Sequence, residues 1–115
     1  IGGQLDKDIV AEITRKVAGD RATIEIKSDI EAAMAIKTGE ADYYLGACNT
    51  GGGGALAMAI ALLGMGLCAT VSMPGNIKSK EAIISEIEAG KKAFGFTPQH
   101  ADTVIPIIIN KILED

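Results

Sequence analysis

Positions 48–50 read Cys-Asn-Thr and run straight into four glycines, Gly51, Gly52, Gly53 and Gly54. A thiol, an amide and a hydroxyl in series, beside residues that accept positive φ and let a ligand approach the backbone, are the parts of an anion cradle. The apolar runs on either side predict a buried strand entering the bend and a buried helix leaving it, so that free N–H groups converge at a positive helix end. There Cys48 gains a lowered thiol pKa and can serve as base, nucleophile or phosphoryl acceptor. The alternative is packing: free cysteine is among the most buried residue types, and the glycines then only seat the helix on the sheet. Asn49 and Thr50 either orient a ligand or cap the helix.

Other chemistries are narrowed by the same residues. No Lys-Ser or Lys-Thr follows the glycines, which excludes a nucleoside-triphosphate loop. Gly52-x-Gly54-x-x-Ala57 matches the loose dinucleotide pattern. It follows the third predicted strand, however, and the next strand ends in Ser-Met-Pro with no acid to hold a ribose, so no nicotinamide and no other cofactor is expected. His100, the single histidine, either joins the ligand edge or is a surface residue at a helix start. One histidine with Cys48 and Cys68 far apart in sequence makes no transition-metal site, and Cys68 is read as core.

The elements that must position these groups alternate along the chain. Residues 1–3 read as the end of a first strand, expected to begin before Ile1. A helix over residues 5–18 carries Ile9, Ile13 and Val17 at a four-residue spacing, with Val10 beside them. Residues 21–27 alternate Ala22, Ile24 and Ile26 with polar neighbours, the pattern of an edge strand with one wet face. Ser28 and Glu31 form a capping box that opens a second helix, presenting Ile30, Ala33, Met34 and Lys37 and ending at Gly39. A third strand over 42–47 is apolar throughout, as in the middle of a sheet. Helix 53–63, strand 67–72, a Pro74-Gly75 turn, helix 79–90 and strand 92–96 follow. Thr97-Pro98 opens a last helix with Ala101, Val104, Ile105, Ile108 and Ile112 on one face and Pro106 inside it.

Strictly alternating strands and helices predict a single α/β domain over 1–115, a three-layer α/β/α sandwich on a five-stranded parallel sheet. The edge-like second strand and buried third strand predict the flavodoxin-like order 2-1-3-4-5. Ligands in such sheets bind beyond the carboxyl ends of the strands. That rule collects Gly3, Gln4, Ser28, Cys48, Asn49, Thr50, Gly51, Gly52, Gly53, Gly54, Met73, Pro74, Asn76, Gln99 and His100. In the predicted order two strand spacings separate Cys48 from His100, so a ligand would have to bridge them.

Composition sets the outer limits. The 115 residues are 48% apolar, with no Trp, two Tyr and two Phe, so the core must be aliphatic. A net charge of −4 without a basic cluster argues against a nucleic-acid partner. The longest apolar stretch is too short and too glycine-flanked to cross a membrane, and no signal peptide is visible. A cytoplasmic protein with reduced thiols is expected, and the apolar helices predict a homodimer.

The segments EAAMAIKTGEADYYLGACNTGGGGALAMAIALLG and EAGKKAFGFTPQHADTVIPIIIN, with the Pro74-Gly75 turn between them, resemble the YhfU-type family of uncharacterised bacterial proteins. That resemblance covers most of the chain and implies an association with bacterial carbohydrate or amino-acid catabolism, without an activity. More distantly, Gly-Glu-Ala-Asp, a strand and a Cys-x-Thr-Gly bend are similar to the ribose-5-phosphate isomerase B and galactose-6-phosphate isomerase family. There the cysteine is the enediol base and the glycine loop holds the oxyanion, which by position implies Cys48 and residues 50–54. Gly3-Gln4 and Met73-Pro74 stand where that family has its Asp-His pair and a later histidine, and Arg15 and Arg21 are not at the ligand edge. The expected function is therefore binding of a small anionic metabolite, a phosphosugar or carboxylate, with Cys48 as the reactive group if there is turnover. The alternatives are a phosphocysteine carrier resembling a phosphotransferase IIB domain, and a non-catalytic assembly subunit.

Overall fold

The computed structural model describes residues 1–51 and 53–114. Four strands form a parallel sheet: β1 (Gly2–Gly3), β2 (Tyr44–Ala47), β3 (Cys68–Thr70) and, later in the chain, β6 (Ala93–Phe96). The two intervening strands, β4 (Ser72–Met73) and β5 (Asn76–Ile77), make a separate antiparallel pair turned by Pro74-Gly75. The spatial order of the main sheet is β1-β2-β6-β3.

This differs from the predicted flavodoxin-like order in two ways. First, β6 lies between β2 and β3, with Tyr44 opposite Ala93 and Cys68 opposite Ala93 on the other side. The physical reason is legible in composition. All four residues of β6, Ala-Phe-Gly-Phe, are buried, which suits a strand covered on both faces, whereas β3 ends in a half-buried Thr70 and belongs at an edge. Second, residues 21–27 do not form a regular strand. A single 3₁₀ turn, Gly19–Arg21, precedes an extended strip held beside β1 by two bonds, from Ile1 N to Glu25 O at 2.7 Å and from Lys27 N to Ile1 O at 2.9 Å. The strip keeps the edge position that its alternation predicts, without a full ladder.

Helices cover both faces of the sheet. On one, α1 (Lys7–Ala18), α4 (Lys80–Glu88) and α5 (Ala101–Ile112) pack against Leu45, Ala47, Ala69, Phe94 and Phe96. On the other, α2 (Asp29–Thr38) and α3 (Ala57–Leu63) enclose Tyr44, Cys68 and Ala93. Phe94 and Phe96 are wholly buried, each worth ~3 kcal/mol of transfer free energy.

The α2 cap forms as the capping box requires: Ser28 Oγ accepts from Glu31 N and Glu31 reaches back to Ser28 N. The buried faces of α1 and α2 agree with those predicted in part: Val10 and Ala33 are buried and Ile13 and Val17 pack against the core, but other predicted residues are exposed. In α1 the covered residues are Val10, Ala11, Thr14 and Ala18, while Ile9 is 54% exposed. In α2 they are Ala32, Ala33, Ala35 and Ile36, with Ile30 and Met34 exposed. Small residues on α1 let it approach the isoleucine-rich face of α5 closely, which the larger side chains would prevent. Among the described residues, no helix is long and apolar enough to cross a membrane.

Candidate functional site

The carboxyl end of the sheet is built on a tyrosine laid over glycines. Gly2 and Gly46 are paired across β1 and β2, and a Cβ on either would meet the Tyr44 ring at 2.6 and 2.8 Å. The ring fills that space, and its hydroxyl accepts from Gly3 N at 2.9 Å and donates to Ala55 O at 2.6 Å. Burial, reinforced by the charge of Asp29, pushes the phenol above its usual range, so the donor to Ala55 stays protonated. Tyr44 thereby ties β1 and β2 to the far end of the glycine loop. Gln4 N and Leu5 N both donate to Ala47 O, at 2.8 and 3.1 Å, turning the chain out of β1.

Residues 49–51 and 53–56 form turns and bends. Helix α3 starts only at Ala57, with Leu56 at its N-cap, so Asn49 and Thr50 do not cap it and the loop is not itself a helix end. That corrects the expected cradle: its geometry comes from turns and not from a helix dipole. Gly51 adopts φ 87°, donates to Cys48 O at 3.2 Å and lies so close to Ser72 O that no side chain fits. A Cβ on Gly54 would strike the Gln4 side chain, and one on Gly53 would come within 2.9 Å of Thr50 Oγ1. Gly52 lies outside the described residues. Asn49, Thr50 and Gly53 are exposed, as is Gln4.

The converging donors meet the chain's own sulfur. Cys48 is 1% exposed, and its Sγ lies 3.3 Å from Thr50 Oγ1. Burial raises the thiol pKa, but hydrogen bonds from the Thr50 hydroxyl and from the backbone N–H groups of Ala55, Thr50 and Gly54 outweigh it, leaving the pKa below its ordinary value. The loop stabilises negative charge on Cys48. Cys68 has no such cradle, and burial pushes its thiol up. Both cysteines are free.

Because β6 adjoins β2, the two strand spacings expected between Cys48 and the last helix are absent. Cys48 N donates to Phe96 O at 3.1 Å, and Thr97 follows directly. Thr97 and Ser72 are buried at 2% and 1%, and composition alone does not mark either one. Thr97 N donates to Ser72 Oγ at 3.1 Å, the two hydroxyls lie 3.5 Å apart, and Thr97 Oγ1 is 2.7 Å from His100 Nδ1. Thr97 thus meets the half-buried His100 within the 3₁₀ turn Pro98–His100 that precedes α5.

The structure brings Gly3, Gln4, Cys48, Thr50, Gly51 and Gly54 into one assembly, with Ser72, Thr97 and His100 beside it. Met73, Pro74 and Asn76 sit on the exposed β4–β5 hairpin, and Ser28 serves the α2 cap. The signal for Thr97 and Ser72 was polarity at the carboxyl ends of otherwise apolar strands.

A cavity of about 650 Å³ lies at the opposite end of the sheet beside residues 20–25, where Ile24, Glu40, Asp42 and Tyr43 help line it. None of the residues gathered at the carboxyl ends lines that cavity. Arg21 does, while Gln4 and Met73 stand exposed. The resemblance to the sugar-phosphate isomerases is not shown by any comparison with known proteins. Among the described residues, no three His, Cys, Asp or Glu side chains gather to hold a metal ion.

Comparison with known proteins agrees with the resemblance of the glycine-rich segment. The chain is 46% identical over 87 residues to the uncharacterised protein YhfU of Escherichia coli strain K12, covering 76% of this chain and 74% of that one. It is equally similar to YhfU of E. coli O6:H1 and of Shigella flexneri. No solved structure matches. The model of one family, described as proteins of unknown function, spans residues 1–112, and the chain belongs to that family, DUF2620.

Proposed function

We propose that the chain binds a small anionic metabolite, a phosphosugar or a carboxylate, at the carboxyl edge of the sheet, with the Cys48 sulfur as its working group. One observation carries this reading: the Cys48 sulfur is buried 3.3 Å from the Thr50 hydroxyl at the glycine loop, and its surroundings hold the thiol pKa below its ordinary value against the effect of burial. A cysteine kept only for packing has no use for such an arrangement. With the Cys48 sulfur buried, the ligand meets the site through the exposed polar groups of Gln4, Asn49 and Thr50 that cover it. Its own charge must lie away from the thiolate.

The test is thermal unfolding with a panel of phosphosugars and short carboxylates, on the wild type and Cys48→Ser. A true ligand at about a hundredfold excess over its Kd adds ~2.7 kcal/mol. No shift with any member, and no anion at the loop in crystals grown with phosphate, would remove the reading.

A phosphocysteine carrier is the second reading, favoured by the same donors, which would hold the oxygens of a thiophosphate equally well. Incubation with phosphoenolpyruvate and the general phosphocarriers decides it: absence of a phosphothiol at Cys48 rules it out. The tight approaches at Gly51 and Gly54 favour a third reading, an assembly subunit in which the loop is packing alone. Enlarging Gly53 separates that reading, because it then breaks a homodimer and affects no ligand.

A further inference from the structure

The geometry points to His100 as a hydrogen-bond donor to an oxygen of the ligand at the Cys48 site, held in one tautomer by Thr97 and Ser72. This deepens the metabolite-binding reading and rests on it. Ser72 and Thr97 are the positioning residues, and the inference follows from counting their protons. Thr97 N already donates to Ser72 Oγ at 3.1 Å. If His100 Nδ1 carried the ring proton and gave it to Thr97 Oγ1, the Thr97 hydroxyl would turn to Ser72 Oγ. Ser72 would then accept twice, and its own proton, on a residue 1% exposed, would have no partner among the described residues. The opposite direction leaves nothing stranded: Ser72 donates to Thr97 Oγ1, and Thr97 donates to His100 Nδ1 across 2.7 Å. In the neutral ring the proton therefore sits on Nε2, which has no partner among the described residues.

The placement serves the site. Thr97 is the residue after Phe96, whose carbonyl accepts from Cys48 N, so the His100 turn leaves the sheet one strand, ~4.8 Å, from the strand bearing Cys48. Gly51 packs on the carbonyl of Ser72, joining the loop to the same line. Cys48 directly follows β2 and the His100 turn directly follows the adjoining β6, so the ring N–H offers a donor to a ligand oxygen at the edge where the loop lies.

Imidazole ¹⁵N spectra of the intact chain test the line without any ligand. The wild type is expected to show a pyridine-type Nδ1 and a pyrrole-type Nε2, Thr97→Val a mixture of tautomers, and Thr97→Ser recovery of the wild-type pattern. A mixture in the wild type, or the wild-type pattern retained in Thr97→Val, overturns the inference. Inorganic phosphate is then added: movement of the His100 Nε2–H signal supports the ligand-facing role, and no movement overturns it even with the tautomer fixed. A metabolite panel without any thermal shift is the separate failure of the underlying reading, since the tautomer result does not depend on it.

Discussion

Replacing Tyr44 by Phe removes one oxygen and strands two backbone groups. The ring stays over Gly2 and Gly46, so packing is unchanged, but Gly3 N loses its acceptor and Ala55 O its donor in a region where Tyr44 is 1% exposed. Each buried group left without a partner costs ~1–3 kcal/mol, and burying Phe in place of Tyr returns part of that. The net expectation is a loss of ~2–4 kcal/mol. Unfolding entropy of ~2.1 cal/mol/K per residue over 115 residues converts this to a Tm lower by about 8–16 °C. Urea unfolding should show the midpoint falling at constant m. The same change reaches the site, because Ala55, whose carbonyl Tyr44 holds, also helps lower the Cys48 thiol pKa through its backbone N–H. The thiol pKa should therefore rise in the variant, read as slower reaction of Cys48 with a small alkylating reagent at neutral pH. A stability change below ~0.5 kcal/mol would show that water or a shifted backbone replaces the hydroxyl, and the argument for Tyr44 as the tie between sheet and loop would fail.

Other perturbations follow from the same geometry. Thr50→Val removes the side-chain hydrogen bond to Cys48 Sγ, so the thiol pKa should climb while Cys68 is unaffected; an unchanged Cys48 titration in a Cys68→Ser background would contradict the assignment. The lowered pKa also fixes the sign of a pH effect. Between the folded value and the ordinary thiol value of about 8.5, the unfolded state holds more protons, so stability should rise with pH across that window and be lost as pH falls through the folded pKa. Cys48→Ser should abolish that slope in urea titrations. Gly95→Ala places a methyl 2.6 Å from Gly51 O and 2.8 Å from Leu56 Cγ, and overpacking there should cost ~1–3 kcal/mol in chemical denaturation. Ser28→Ala deletes the α2 cap, and the same assay should register ~1 kcal/mol.

The sequence exposed the fold where local chemistry is decisive and hid it where neighbours decide. Ser28 and Glu31 specify their capping box without tertiary help, and the apolar run at Tyr44 specifies a buried strand. The faces of α1 and α2 were read only in part because bulky side chains were taken as the buried stripe: Val10 and Ala33 are covered as read, but Ala11, Ala18, Ala32 and Ala35 are covered too, and Ile9 and Ile30 are not. An alanine helix face carries little hydrophobic signal, yet it permits the closest approach of two helices. The order of β3 and β6 was misread for a similar reason. Both runs are short and apolar, and only the burial of every residue in Ala-Phe-Gly-Phe, set against the half-buried Thr70, distinguishes a middle strand from an edge. Cys48 and its glycines were legible as a tight turn at the end of a buried strand. Their target was not, because a run of glycines marks a close approach without naming the atom that approaches.

That interchange of strands has a chemical consequence. Were β3 beside β2, Cys48 would adjoin Val71 and Ser72, and the Thr97–His100 turn would lie a further ~4.8 Å away. With β6 in the middle, Gly95 supplies the space that Gly51 and Leu56 enter from above, and Phe96 supplies the carbonyl that fixes Cys48 N. The same tetrapeptide therefore sets the centre of the core through its two phenylalanines and the floor of the site through its glycine. This coupling gives a loop with so few side chains its anchor points. Its shape comes from backbone approaches to Ser72 and Gly95 and from the Tyr44 hydroxyl, not from packing of its own residues. A rigid loop is what thiolate stabilisation requires, since N–H groups free to turn toward water would not hold a charge on buried sulfur.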